Sequence, residues 1–558
     1  MNDPLVLGPL LRYVDETSAS IWVETAESAT VVVRAEGRSW RNSTFAVHGH
    51  HYALVEVAGL EPGSVVPYTV EIGDATVWPP ADSPYPPSCI ATLKPGKPLR
   101  LAFGSCRTSA PHDREGNRMH GVDAMRAYAL AMADHSAGHW PDLLLFLGDQ
   151  VYADETTKEM RDFIEARRDI TQPPWEELKD YQEYAHLYRL AWTDPANRWL
   201  LSTLPTSMIF DDHDIRDDWN TSLAWRRDMQ ATTWWHERIV SGLASYWVYQ
   251  HLGNLSPAER ATDEIWQRVV GHSDDGEPDL TEALEEFADR VDQQPETYRW
   301  SYARDLGRSR LVVVDSRAAR VLDPARRSIL DENELRWFDQ QLHGDCDHLF
   351  IGTSLPYLLA PGLHFVEAWS EALAAGGWGK RLKPVGEKLR RTVDLEHWAA
   401  FQHGFQTVAG MIIEVARGRR GRAPRTITFL SGDVHHSYLA EVRRPRGEPA
   451  ETSRIIQAVC SPVRNPLSRG MRYITAFLAY GLAGPIGLVV ARSAKVPAPP
   501  FRWDFLRRPW FDNNLGTLEV VKDGLRLWWE TGVVRAGDDE HPRLKRLVTM
   551  DLVGRPRA

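Results

Sequence analysis

Residues Pro141–Glu155, PDLLLFLGDQVYADE, decide how the rest of the chain is read. Asp142 to Leu147 is mostly apolar and too short for an ordinary helix, which predicts a buried strand. Gly148 breaks the run, and Asp149, Tyr152, Asp154 and Glu155 follow at once. A buried strand that stops at a glycine and then presents oxygen donors places them at the carboxyl edge of a sheet. Open α/β folds carry their chemistry at that edge. Taken alone, the same pattern describes many ordinary turns.

Three further stretches repeat it. Leu99–Cys106, LRLAFGSC, reads as a strand and runs on into Arg107. The short apolar run Ser207–Phe210 leads straight into Asp211, Asp212, His213 and Asp214. Thr426–Val442, TITFLSGDVHHSYLAEV, is strand, then Gly432-Asp433-Val434-His435-His436, then strand. Helical sequence over Gly121–His135 separates the first two strands, so they form a βαβ unit with a parallel sheet. Both then end on one edge, which brings Cys106 towards Asp149 and Tyr152. A single histidine is more often hydrogen-bonded structure than ligand. Four apolar strands that each end in Asp, His, Cys or Tyr are hard to explain by packing, because buried carboxylates without a cation are costly. A bound metal pair removes that cost.

Composition bounds the alternatives. The chain has 558 residues, 43% apolar and 25% charged, which is ordinary globular composition for a chain of more than one domain. A net charge of −11 argues against a general binder of nucleic acid or anionic membrane. Four widely spaced cysteines with no CxxC pair are neither a disulfide framework nor a zinc-finger pattern. The N-terminal sequence MNDPLVLGPLLRYVDE has no export signal and no twin-arginine motif, which predicts a cytoplasmic protein.

Short alternating segments fill Gly8 to Leu93 and predict an antiparallel β-sandwich over residues 1–93, of fibronectin III or immunoglobulin type. Within it Val57–Thr69, VAGLEPGSVVPYT, resembles a tyrosine corner. With no ligand cluster this unit reads as an accessory, and Pro-rich Val77–Pro98 as a linker. The second unit, residues 94–558, carries a helical insert over about residues 156–300 in which tryptophans pack the layer. Strands return at RLVVVDSR, HLFIGTSLP, LGTLEVV and GLRLWWETG. Arg417–Arg425 reads as a surface loop, with a phosphate-recruiting patch as the alternative. Ile474–Ala491 is apolar but interrupted by Gly481, Gly484, Pro485 and Gly487. It reads as short buried helices or a membrane-touching lid rather than a span.

The motifs FGSCR, LGDQVYADE, FDDHD and SGDVHHS, in that order, resemble the PhoD-like branch of the calcineurin-type metallophosphoesterases, and the resemblance covers most of residues 4–535. It implies an α/β (α+β) metallophosphatase fold, two facing β-sheets flanked by helices, after an N-terminal sandwich. It also implies that Asp149 bridges two metals, and that Cys106 and Tyr152 bind Fe3+ as thiolate and phenolate with His435 beside them. Asp212, in preference to Asp211, stands where the superfamily has an asparagine, and Asp433 where it has a histidine. Carboxylates at both places favour Ca2+ in the second site, with other divalent ions as alternatives.

The function implied is hydrolysis of phosphate esters by a dinuclear metal-activated water, with diesters favoured over monoesters. His213 is expected either to protonate the leaving oxygen and stabilise the transition state, or to brace Asp149. Arg107 and Arg317 are candidates for binding the phosphate, since bidentate arginine suits it. The rival readings are a hydrolase of nucleotides or other esters on the same fold, and a non-catalytic scaffold that keeps a structural metal site. The expected partner is a phosphate-ester substrate, with no nucleic-acid role. Peripheral membrane contact through residues 474–491 would suit a phospholipid or a teichoic-acid-like polymer.

Overall fold

A computed structural model describes residues 3–272, 276–392, 395–443, 453–467, 470, 472 and 483–553. The predicted strand at the centre is Leu143–Leu147, buried at every position. It is leucine-rich throughout because it has parallel neighbours on both sides, so both of its faces are covered. Arg100–Gly104 pairs with it on one side and Thr206–Ile209 on the other, both parallel. The antiparallel strands Leu515–Val521, Gly524–Arg535 and Asp538–Val553 extend this sheet to six.

A second sheet of seven strands has the order Tyr302–Leu306, Ser309–Val314, His348–Thr353, Thr426–Ser431, Arg454–Val459, Ser437–Val442 and Trp503–Trp510. Its four middle strands, Ser309–Val314 through Arg454–Val459, run parallel to one another. The two sheets face each other. A side chain added at Gly352 in the second sheet would lie 3.2 Å from Leu147 of the first and 3.1 Å from Val313. At the edge where the strands end the backbones come closer still. A Cβ at Gly432 would sit 1.9 Å from the Ser105 hydroxyl, so no other residue fits there without moving Ser105.

Residues 5–91 form two further sheets, one ordered Leu5–Val14, Ser18–Thr25, His50–Ala58, Phe45–Val47 and the other Arg38–Ser43, Thr30–Ala35, Val65–Ile72, Ala75–Trp78. Three details differ from the expectations. The stretch Val77–Pro98 is more than a linker, because Cys89–Ala91 pairs with Val65–Ile72 and Ile90 is fully buried. The Tyr68 hydroxyl makes no tyrosine corner, since it donates to the Ser202 carbonyl outside the sandwich, at 2.7 Å. The sandwich is also no loose accessory. Leu7, Leu10, Trp22 and Tyr52 share one apolar cluster with Trp247 and Tyr249 of the helical layer. Fully buried Arg12 crosses the same boundary and donates to the carbonyls of Tyr249 (2.7 Å) and Gln250 (2.6 Å).

The helical layer follows its periodicity. Tyr181–Trp192 is a helix capped by Asp180, whose carboxylate accepts from the Glu183 amide. Trp235–Tyr246 is a second helix, continued by a π-turn over Trp247–His251. Of the apolar stretch Ile474–Ala491, residues 474–482 lie outside the described residues. Ala483–Ser493 is a helix packed on Pro361–Ala375. Among the described residues no helix is long and apolar enough to cross a membrane. The arginine run Arg417–Arg425 is tied down, with Arg422 paired to Asp347 at 2.8 Å and Arg425 donating to the Lys522 carbonyl at 2.6 Å.

Candidate metal centre

Three parallel strands of one sheet and the middle of the other stop at the same place, and their turns carry the donors. Cys106, Asp149, Asp433 and His435 all adopt positive φ, at 59°, 50°, 65° and 49°. Such backbone is strained for these residue types and persists where surrounding bonds fix it. Asp214 fixes much of it. One of its carboxylate oxygens accepts from the backbone amides of Asp149 and Asp211, both at 2.9 Å. The other accepts from the Gln250 side chain at 3.1 Å. Gly148 turns the chain at φ 97°, where a Cβ would come 2.5 Å from that of Asp211.

The donors gather in two overlapping groups. Ligand atoms of Cys106, Asp149 and His435 lie within 4.8 Å of one another, and so do those of Asp149, Asp211, Asp212 and Asp433. Asp149 belongs to both. Tyr152 is buried beside the first group, and its hydroxyl lacks a well-aligned hydrogen bond. His436, by contrast, turns away, with Nδ1 against the Val434 carbonyl at 2.6 Å and its ring among Tyr438 and Phe511.

Burial, and then the neighbouring carboxylates of Asp211, Asp212 and Asp214 against some relief from His213, raise the Asp149 carboxyl well above the carboxylate range. Burial and the Asp149 and Asp433 charges push the Cys106 thiol well up, and burial with the Cys106 and Asp149 charges does the same to the Tyr152 phenol. Burial lowers His435 to about 4, which leaves a neutral imidazole suited to ligation. The residues fit a metal. Asp149 Oδ1 and Asp211 Oδ2 are buried with no hydrogen-bond partner, and the Tyr152 hydroxyl beside them has no well-aligned one, in a set of thiol, phenol, imidazole and carboxylates. A cation supplies the missing partner and reverses each of these upward shifts.

His213 lies against Tyr152, ring centroids 4.7 Å apart, with Nδ1 2.8 Å from Asp154. Burial disfavours its charge, but Asp154 and Asp212 outweigh burial and raise its pKa well above the usual value.

The two arginines expected to bind phosphate do not face open space. Arg107 is buried and spent on the cap of helix Ala124–Ala133, donating to Asp123 at 3.0 and 2.7 Å and to the Ala191 carbonyl at 2.7 Å. Arg317 is fully buried among carboxylates. It pairs with Asp211, with Glu396 at 2.5 Å and with Asp212 at 3.1 Å, and Asp433 stands 3.8 Å away. Both are corrections with one cause, since a buried guanidinium binds the nearest carboxylates before any ligand.

Residues the sequence did not single out complete the site. His397 Nε2 donates to Asp433 Oδ2 at 2.8 Å and Nδ1 lies 2.7 Å from Glu367 Oε1, so a Glu367–His397–Asp433 chain braces the last carboxylate. Glu396 holds Arg317 and Arg320. Glu367 lies in a helix and Glu396-His397 before a short 3-10 turn, so no strand-end signal marks them.

Two facing sheets with a buried cluster of metal donors at their common edge make a metal site of hydrolytic type, and the family match makes it that of a metal-dependent phosphoesterase. Comparison with known proteins gives the family. Residues 102–474, about two thirds of the chain, match the PhoD-like phosphatase family, and the chain belongs to it. Residues 2–90 match a domain of unknown function, DUF7800. A solved structure described as PhoD is similar with a TM-score of 0.59 at 13% identity, over 98% of this chain and 90% of that one. A purple acid phosphatase from yellow lupin seeds aligns with a TM-score of 0.49 at 9% identity, over 94% of this chain and 71% of that one, too loosely to bear on the argument. No curated protein matches the chain.

Proposed function

We propose that the protein hydrolyses phosphate esters, diesters in preference to monoesters, at a mixed Fe3+ and Ca2+ centre. In this reading Cys106, Tyr152 and His435 would hold the ferric ion, Asp212 and Asp433 would hold calcium, and Asp149, which belongs to both donor groups, would serve both. The observation that carries it is the buried, unpartnered Oδ1 of Asp149, clustered with Cys106 and His435 and with Tyr152 buried beside them. Phenolate is a hard donor and a trivalent ion has the charge to compensate two anionic ligands, a thiolate included, whereas an all-carboxylate group suits calcium.

When bound, the metal pair supplies an activated water and neutralises phosphoryl oxygens. The chain's own residues do the rest. Asp154 holds His213 by Nδ1, which leaves Nε2 to carry a proton to the leaving oxygen. Arg317 and Glu396 fix Asp211, and His397 fixes Asp433, so that the carboxylates keep their orientation without a substrate. Asp214 fixes the turns that carry Asp149 and Asp211.

The test is hydrolysis of bis-p-nitrophenyl phosphate by the purified protein, after chelation and after calcium add-back. Activity should vanish with chelator, return with Ca2+, and be absent in Asp149→Asn. A fully metal-loaded protein that cleaves neither this diester nor p-nitrophenyl phosphate refutes the reading.

A further inference from the structure

Large apolar side chains stand out to solvent around one corner built by three helices. Trp378 is 44% exposed, Leu382 38% and Val385 54%, all just after helix Pro361–Ala375. Ile486 and Val489 are 59% and 66% exposed on helix Ala483–Ser493, three residues apart and so on one face. Lys383–Thr392 and Ala483–Ser493 both pack on Pro361–Ala375. Trp378 joins the pieces, since its indole N–H donates to Ser493 Oγ at 3.1 Å and its ring lies 5.4 Å from that of Trp369. Elsewhere in the described chain exposed large hydrophobics are scattered singly, which is normal for a soluble surface.

The charge of this corner is opposite to that of the protein. The chain carries −11 overall, yet residues 376–392, GGWGKRLKPVGEKLRRT, hold six Lys or Arg and a single acid, Glu387. Arg390 and Arg391 are spent on Glu387 and Asp228. Lys380, Arg381, Lys383 and Lys388 are exposed, and among the described residues none of the four pairs with a carboxylate. Apolar side chains, a tryptophan and unpaired basic groups on one surface match the two requirements of reversible attachment to an anionic bilayer, insertion and electrostatic attraction.

We propose that this corner docks on an anionic lipid surface. Trp378, Leu382, Val385, Ile486 and Val489 enter the interfacial layer, and the four basic side chains lie against the headgroups. A net charge of −11 argues against a general binder of anionic membrane, but it does not bear on a local basic patch, because electrostatic attraction decays within about 8 Å at physiological salt. The surface is built on the helix that carries Glu367, the residue that holds His397 against Asp433. Docking therefore brings the helix that braces the proposed metal centre to the lipid. That the esters cleaved would be lipid headgroup esters rests on the reading given under Proposed function, whereas the docking itself does not.

The experiment is co-sedimentation of the full chain with phosphatidylcholine vesicles, with and without phosphatidylglycerol, at low and high salt. Binding is expected only with phosphatidylglycerol, and to weaken roughly tenfold or more at high salt. Lys380→Glu/Lys383→Glu and Leu382→Ser/Val385→Ser should each lose binding while hydrolysis of soluble bis-p-nitrophenyl phosphate is unchanged. Asp149→Asn should bind as the parent does, so a failure of the catalytic reading leaves this result intact. No binding to phosphatidylglycerol vesicles, or binding kept in both double variants, overturns the proposal. Light scattering that shows a dimer dissolved by the same variants would assign the corner to a second copy of the chain and overturn it equally.

Discussion

Arg12→Met tests whether the N-terminal sandwich supports the site or merely accompanies it. The Arg12 guanidinium donates to the carbonyls of Tyr249 and Gln250 at 2.7 and 2.6 Å, near the end of the helix that closes in the π-turn Trp247–His251. Carbonyls at a helix end need partners, and here a neighbouring domain provides them. Methionine keeps the apolar stem and removes every guanidinium donor, these two short bonds and two longer ones to the Thr206 carbonyl and Asn254 Oδ1 at 3.4 Å each. Two charge-assisted bonds are worth about 1.5–3 kcal/mol each. Against them stands the burial of the guanidinium, which lowers its pKa to about 9. The net loss is about 3 kcal/mol, a large share of a usual stability of about 5–15 kcal/mol. Urea unfolding followed by tryptophan fluorescence should show the midpoint fall by roughly half a molar, because m rises with chain size and exceeds about 3 kcal/mol/M for a chain this long. Gln250, on the same turn, donates to Asp214, which holds the amides of Asp149 and Asp211. Metal affinity should fall with stability, and Arg12→Lys should lie between the two. An unchanged midpoint would refute the reasoning, because the bonds would then contribute nothing beyond what water offers the open turn.

Tyr152→Phe removes the phenolate, so iron-loaded protein should lose a visible tyrosinate-to-iron absorption band, and persistence of the band would remove Tyr152 from the ligand set. His397→Gln loosens Asp433, and calorimetric titration should show divalent-cation affinity reduced about 10–100-fold, with the cation restored at higher concentration. Glu334 is buried with Asp315 near it, and burial first, then that charge, raises its carboxyl to about 8. Its folded pKa lies above the unfolded one, so the native state holds the proton longer. Its stabilising effect is therefore present at low pH and lost as pH rises from about 4.5 towards about 8. Glu334→Gln should raise the unfolding midpoint at pH 8 by an amount on the order of 3 kcal/mol in stability, with the gain shrinking towards pH 5.

How much was legible follows from which residues sit at strand ends. Leu143–Leu147, Thr206–Ile209 and Thr426–Ser431 announce themselves because buried strands are apolar runs cut short by glycine or acid. Their donors Asp149, Asp212, Asp433 and His435 follow by adjacency, and the structure does bring them together with Cys106. Arg107 and Arg317 sit at the turns the sequence marks, but carboxylates and a carbonyl take their guanidinium groups. A turn position fixes where a side chain starts, whereas Asp123 of a helix cap and Glu396 from a distant segment decide where it ends. His397 and Glu367 carry no local pattern at all, and only the packing of Pro361–Ala375 against the second sheet's edge reveals them. Cys89–Ala91 was hidden for a different reason, since prolines around a three-residue edge strand read as linker.

The arrangement of charge explains why so many acids can share one buried place. Asp211, Asp212, Asp433 and Glu396 surround a single guanidinium, that of Arg317, whose own charge they hold well in place against burial. One positive charge cannot satisfy four carboxylates, and it does not treat them alike. It binds Asp211 and Glu396 tightly, reaches Asp212 at 3.1 Å and only approaches Asp433 at 3.8 Å. Asp433 is instead held by His397, which together with Arg317 keeps its carboxyl low despite burial. Asp149 has no arginine, and its nearest bond is the Cys106 thiol at 3.3 Å. The carboxylates thus divide by partner, with Glu396 and one oxygen of Asp211 committed to arginine, and Asp149 and the other Asp211 oxygen left to a cation. Asp212 and Asp433 lie between, held in orientation yet short of full compensation. Arginine and histidine fix the frame, and the charge deficit that remains is concentrated at the residues whose oxygens face the centre.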